Sequence, residues 1–401
     1  MGGSAAKCDI LLRMLTGFGR ALTTLALMLN LLLPFFVSAL VTLLVIHSEA
    51  VHGHLSADGD LSGPQKFHAK AVPRVGGLGM FSGLLVMAVV AGLQGQAQAR
   101  MGFLLLLCSL PAFLAGTWED LTKRVSPRER LIATAVSAAM AAWLLNAEIV
   151  RTDIPGLDWV VGTSAGALLV TLFAVAGVAN AVNIIDGFNG LSSMCVSLML
   201  LAFAYVAFQV GDMSLMIWAL AGVGAVLGFF VWNYPAGMIF LGDGGAYFLG
   251  FYVAEIGIML IARHHEVSPL FALMVCIYPV FETVFTIYRR KFIRAAPPDQ
   301  PDGIHLHSLI YRRVLRWAIG AKDARVKTQR NSMTAPYLWM LCITSLTPAL
   351  LFWDSTPMIV LCIAVFSTLY VGLYWRIVRF KTPKWMVFKG PQDKGTTDTV
   401  K

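Results

Sequence analysis

Eleven apolar runs, each near the length needed to cross a bilayer, occupy most of the chain between residues 24 and 376. A hydrocarbon core about 30 Å thick takes about 20 helical residues to span. The runs fall at 24–46, 75–94, 101–118, 131–145, 163–180, 191–209, 214–232, 239–262, 267–287, 334–353 and 357–376. The fourth is the least regular, because Glu148, Arg151 and Asp153 follow it closely. No water enters the bilayer core, so each run must satisfy its own backbone groups as a helix. Composition agrees: 57% of the residues are apolar and 13% charged, whereas soluble domains sit at about 45–50% and about 25%. The expected fold class is all-α, a polytopic membrane protein of 10–11 transmembrane helices. The first run is too long for a cleavable signal segment and reads as a retained helix.

Lys and Arg placement predicts the orientation. Most of the 31 basic residues lie in alternate connections, at Lys66–Arg74, Lys123–Arg130, Arg289–Arg330 and Arg376–Lys401. The opposite side holds Lys7, Arg13, Arg20, Arg100, Arg151 and Arg263. The positive-inside rule then puts the N-terminus outside and the C-terminus in the cytoplasm. A net charge of +9 concentrated on one membrane face suits anionic lipid headgroups and phosphorylated substrates. It does not suit nucleic acid. The six cysteines form no spaced pairs and are expected to be reduced, packed thiols. No repeat, low-complexity segment or second domain interrupts residues 1–401, which read as one integral membrane domain.

Polar residues recur at the inner mouths of the helices, where an ionisable group is costly and marks a site or pathway. Lys66-Phe-His-Ala-Lys70-Ala-Val-Pro73-Arg74-Val-Gly76-Gly77 enters the second helix and can also be read as a basic interfacial anchor. Glu119 and Asp120 are adjacent carboxylates where the third helix leaves the membrane, with Lys123 and Arg124 one turn later. Asn180, Asn183, Asp186 and Asn189 recur at every third position at the end of the fifth. That spacing separates neighbours by about 60° on an α-helix and nearly aligns them on a 3₁₀ turn, so they converge. In Phe240-Leu-Gly-Asp243-Gly-Gly, glycines surround an aspartate at a helix start. It offers a hard oxygen to Mg²⁺, which favours one or two carboxylates plus phosphates and water, beside N–H groups that suit phosphate. The long connection 288–333 carries His305-Leu-His307-Ser308 followed by Arg312 and Arg313. Too few further ligands lie nearby for zinc, so imidazolium and guanidinium contacts to phosphate are expected. Acids for a metal and bases for phosphates on one face are the apparatus of phosphoryl transfer.

As a set, Lys70, Pro73, Gly76-Gly77, Glu119-Asp120, Asn180-x-x-Asn183-x-x-Asp186-Gly, Phe240-x-Gly-Asp243-x-Gly and His305-x-His307 resemble the polyprenyl-phosphate N-acetylhexosamine-1-phosphate transferases. These belong to glycosyltransferase family 4 and include MraY-type and WecA-type enzymes. The resemblance covers residues 66–313, in the family's order. It implies transfer of a HexNAc-1-phosphate from a UDP-sugar to undecaprenyl phosphate, with Mg²⁺ or Mn²⁺, at the cytoplasmic face of a bacterial inner membrane. Asp243 would be the principal metal ligand, with Asp120 beside the attacking lipid phosphate and sharing the metal. Glu119 would support metal or phosphate placement. Lys70, Asn180, Asn183, Asp186 and Asn189 would line the nucleotide pocket, Phe240 would stack on uracil, and His305, His307 and Arg312 would grip diphosphate or sugar. Three positions depart from the family pattern: Glu119 replaces the first Asp of a pair, Asn189 replaces an acid, and His305-Leu-His307-Ser308 replaces HIHH or HHH. The last places the chain nearer the branch that initiates O-antigen of lipopolysaccharide than the MraY branch. Membrane lipids are expected neighbours, and self-association as a homodimer is compatible with this reading. The rival readings are a transporter of a phosphorylated substrate, a UbiA-type prenyltransferase, for which no DDxxD-like motif is present, and a non-catalytic homologue.

Overall fold

The computed structural model describes residues 28–48, 72–293, 304–315 and 324–381. Lys70, and residues 294–303 and 316–323 of the long connection, lie outside the described residues. Helices occupy all eleven apolar runs. They are α1 (Met28–His47), α2 (Gly77–Leu93), α3 (Ala99–Thr122), α4 (Pro127–Leu145), α5 (Ser164–Ile185), α6 (Leu191–Gln209), α7 (Met213–Asn233), α8 (Gly242–Arg263), α9 (Ile277–Tyr288), α10 (Ala324–Leu351) and α11 (Thr356–Val378). Eight of these are long and apolar enough to cross a membrane. The chain is an all-α polytopic membrane protein.

Local chemistry sets the helix ends. α4 starts on a capping box: the Ser126 hydroxyl accepts from Glu129 N–H, the Glu129 carboxylate accepts from Ser126 N–H, and Pro127 follows at the first helical position. Thr163 caps α5 and Asp212 caps α7 through side-chain oxygens.

Two runs differ from their predicted form. The ninth, expected as one span, is broken into Phe271–Val275 and α9 (Ile277–Tyr288). Pro279 has no N–H to give the carbonyl of Val275, and its ring crowds that carbonyl. The tenth begins ten residues earlier than its apolar stretch, at Ala324 rather than 334, because polar residues extend the helix by nearly three turns before the apolar run.

α8 is the central element, buried along nearly its whole length. Its neighbours α3 and α5 approach closely because small residues face one another. A Cβ built on Gly116 of α3 would lie 2.6 Å from backbone atoms of Asp243 and Gly244. One on Gly250 of α8 would lie 2.4 Å from the Cα of Ala179. This contact brings the end of α3 against the start of α8. Described cysteines are unpaired, and Cys108, Cys195, Cys276 and Cys342 are buried.

Gly116→Ala tests the approach. Alanine gains about 1 kcal/mol of helix propensity, while overpacking costs about 1–3 kcal/mol. The substitution should therefore lower the thermal midpoint in detergent micelles; a raised midpoint would show that α3 and α8 have slack between them.

Candidate active site at the helix ends

The site grows from one carboxylate. Asp120, in the last turn of α3, is 2% exposed, and its two oxygens accept the backbone N–H groups of Asp243 and Gly244, each at 2.9 Å. These are free donors at the N-terminus of α8, where negative charge is favoured. Asp120 thus caps the start of α8, and the Asp243 side chain faces other partners. Gly242 makes the approach feasible. Its φ is +75°, and a Cβ there would meet the Arg74 carbonyl at 2.0 Å and Asp120 Oδ2 at 2.5 Å.

The Asp243 carboxylate gathers donors from three other segments. Asn183 Nδ2 donates to Oδ1 at 2.8 Å, Arg130 of α4 donates to Oδ2, and Arg74 Nη2 lies 3.8 Å from Oδ1. Arg74 also lies 3.8 Å from Asp120. It is placed by pairing of extended backbone: Phe240 N–H donates to Pro73 O at 2.8 Å, and Gly76 N–H to Phe240 O at 3.0 Å. The Arg130 guanidinium lies over the Tyr247 ring, 5.6 Å from its centroid, and its Nε is buried without a partner. The Tyr247 hydroxyl donates to Asn180 Oδ1 at 3.3 Å. Lys123 stands close enough to feel Asp120 and Asp243, and burial and Arg74 together hold its ammonium below the usual lysine range.

Asp186 follows the end of α5 and accepts from the Ser192 hydroxyl. Burial lifts its carboxyl from 3.8 to about 6; Ser192 and Arg74 oppose the rise and Asp243 adds to it. Beyond the Asp186–Gly187 turn sits the histidine segment. A Cβ on Gly187 would lie 3.4 Å from His307 Nε2, and the His307 ring meets Phe188 edge-on at 5.4 Å. His305 stacks on His307 at 5.1 Å. Burial, with His305 beside it, pushes His307 down to about 3. It is therefore a neutral imidazole rather than the imidazolium expected from sequence. Its Nδ1 is buried without a partner.

The structure thus brings together Asp120, Asp243, Asn183 and Asp186, with Asn180 joined through Tyr247. Other expected site residues face other tasks. Glu119 accepts from Val125 N–H at 2.7 Å and ties down the turn after α3. Asn189 is buried, donating through Nδ2 to Ser332 at 3.2 Å and Pro235 O at 3.3 Å, while its backbone N–H donates to Asn331 at 2.9 Å. Its side chain anchors the turn to α10 instead of facing Asp243. Arg312 is exposed, and Phe240 is half-buried, with its backbone in the pairing just described. Arg130, Ser192 and Tyr247 join the site without any motif to announce them.

Asp186 predicts a pH dependence. Between pH 3.8 and 6, the native chain holds a proton that the unfolded chain has released, so stability falls as pH rises through that window. Asp186→Asn should flatten that part of the slope in thermal unfolding followed from pH 4 to 7. An unchanged slope would mean that the carboxyl ionises normally.

Residues 102–261 match the family described as glycosyl transferase family 4. The chain is 29% identical over 256 residues to an undecaprenyl-phosphate alpha-N-acetylglucosaminyl 1-phosphate transferase of Thermotoga maritima, covering 63% of this chain and 72% of that one. It is 26% identical over 287 residues to a probable undecaprenyl-phosphate N-acetylglucosaminyl 1-phosphate transferase of Bacillus subtilis, covering 70% and 77%. It is 32% identical over 235 residues to a phospho-N-acetylmuramoyl-pentapeptide-transferase of Lactiplantibacillus plantarum, covering 55% and 70%. With Asp120 and Asp243 meeting inside the matched segment, the chain belongs to glycosyl transferase family 4, the superfamily of polyprenyl-phosphate sugar-1-phosphate transferases.

Proposed function

We propose that the chain transfers a HexNAc-1-phosphate from a UDP-sugar to undecaprenyl phosphate at the cytoplasmic face of a bacterial inner membrane, initiating a cell-envelope glycan such as O-antigen. The observation that carries this is the meeting of Asp120 and Asp243 with Arg74, Arg130 and Asn183 where four helices end. A transporter would place its polar residues near the bilayer midplane; here they gather at helix ends.

The donor set suits Mg²⁺, or Mn²⁺ in its place. Asp243 and Asp120 offer hard oxygens side by side, and each carboxylate has lone pairs beyond its hydrogen bonds. An ion there would take its remaining ligands from substrate phosphates and water. Bound there, the ion would neutralise charge on the donor diphosphate and on departing UMP.

The protein's residues supply the positioning. Arg74 and Arg130 lean on Asp243 and are within reach of a diphosphate that displaces them, and the unpartnered Arg130 Nε is a spare donor for a phosphate oxygen. Both Asp120 oxygens hold backbone N–H groups, so this carboxylate orients the start of α8 and is poorly placed to abstract a proton. No base is required. A phosphate monoester has its second pKa near 6 and is largely dianionic at neutral pH. A lipid phosphate oxygen attacks the sugar-bearing phosphorus in line, the bond to the bridging oxygen breaks, and UMP leaves with that oxygen.

The HexNAc assignment rests on His305-Leu306-His307-Ser308, by which the chain resembles the WecA-type branch more than the MraY-type one. Purified protein offered labelled UDP-HexNAc donors and UDP-MurNAc-pentapeptide, each with undecaprenyl phosphate, should give lipid-linked product only with a HexNAc, and none after chelation. Asp243→Asn should abolish product while the protein stays folded. Near-normal turnover of that variant would remove Asp243 from the reaction, and product from the pentapeptide donor alone would move the chain to the other branch.

A further inference from the structure

A second polar cluster lies on the far side of the histidine segment, around a single acid in an otherwise apolar run. Glu282 of α9 is 1% exposed. Its Oε1 lies 3.0 Å from His305 Nδ1 and accepts the backbone N–H of Leu306 at 3.2 Å. Its Oε2 accepts the hydroxyl of Tyr370 from α11. The Thr286 hydroxyl, one turn along α9, lies 3.3 Å from the same His305 nitrogen. Arg289 donates to Ile304 O at 2.9 Å and to the Tyr374 hydroxyl, fixing the residue just before His305.

This arrangement constrains the His305 ring. A carboxylate can only accept, so the nitrogen facing Glu282 must be protonated, and Nε2 is the nitrogen left for other partners. The second hydrogen bond, to Leu306 N–H, fixes the backbone that carries the ring. The stacked His305–His307 pair then carries this placement to the Asp186–Gly187 turn, where His307 Nε2 faces Gly187. An acid buried at membrane depth is expensive unless something requires it. Three donors from two elements account for its placement, and all but Tyr370 belong to the histidine segment.

We propose that Glu282, braced by Tyr370, is a positioning residue that fixes the ring nitrogen of His305 and seats the His305–His307 segment against the Asp186–Gly187 turn, so that the imidazoles meet the donor diphosphate in one orientation. The proposal rests on the transferase reading for the identity of that donor. The placement of the ring itself can be tested without it.

Two variants separate placement from charge. Glu282→Leu removes every hydrogen bond. In Glu282→Gln the amide oxygen still accepts from His305 and Leu306, and the amide nitrogen donates to the Tyr370 oxygen. Losing a buried hydrogen-bond partner costs about 1–3 kcal/mol, so Glu282→Leu should raise the KM for the UDP-sugar about 5- to 150-fold, with a smaller change in kcat. Glu282→Gln should stay within about threefold of the parent. In a His305→Ala background, Glu282→Leu should add little further loss, because its effect passes through that ring. Losses that multiply in the double variant, or a Gln variant as impaired as the Leu one, would overturn the proposal. The second readout needs no activity. In protein labelled with ¹⁵N in its histidine rings, the resonances lost in His305→Ala identify His305. They should show a protonated Nδ1 in the parent and in Glu282→Gln, and a changed proton distribution in Glu282→Leu. An unprotonated Nδ1 in the parent would sink the proposal even if transfer is observed. A protonated Nδ1 with no transfer from any donor would leave the positioning intact and remove the transferase reading instead.

Discussion

The site depends on a carboxylate taking the first N–H groups of a helix. Asp120 occupies the N-terminus of α8, and through that contact the end of α3 determines where Asp243 points. The interaction is strong because α8 leaves free donors there and the surroundings are dry. It is specific because only glycine at 242 and 116 lets the chains come so near. Arg74, Arg130 and Asn183 then assemble around Asp243 from three different segments. None of them is adjacent to it in sequence, so no local propensity can substitute for the packing of α8 against its neighbours.

The charge pattern follows from the same packing. Two acids and two guanidinium groups sit where helices end, sheltered enough that isolated charges would be costly. Each acid therefore carries hydrogen bonds or a cation, and Arg130 fills the space beside Asp243. His307 behaves differently. Enclosed by Phe188, Gly187 and His305, it is neutral, and its spare nitrogen is a hydrogen-bonding group rather than a charge.

Much of the architecture was legible in the sequence, because the bilayer enforces about 20 apolar residues per crossing and no other demand produces that pattern. All eleven runs contain helix. The break at Cys276 was hidden because one proline within an apolar run leaves average hydropathy almost unchanged. The early start of α10 was hidden because its first turns are polar. Asp120, Asn183, Asp186 and Asp243 were legible as motifs, yet their mutual contacts were not, since Arg130 and Asp243 are 113 positions apart. Asn189 shows where periodicity misleads. Spacing by three extrapolates a helix that in fact ends at Ile185, and beyond the turn at Gly187 the side chain points toward α10. Glu282, one acid in an otherwise apolar stretch, carries no motif that marks it.

The break in the ninth crossing has an effect on direction. Had the stretch from Phe271 to Tyr288 continued as one straight rod, the azimuth of every side chain beyond Cys276 would follow from the rod's register. The interruption uncouples the two halves, so α9 can take its own heading while Phe271–Val275 keeps its packing. Pro279, three positions before Glu282, thereby works as a steering joint: a missing amide hydrogen inside the apolar run sets the bearing of the acid that reaches the histidines.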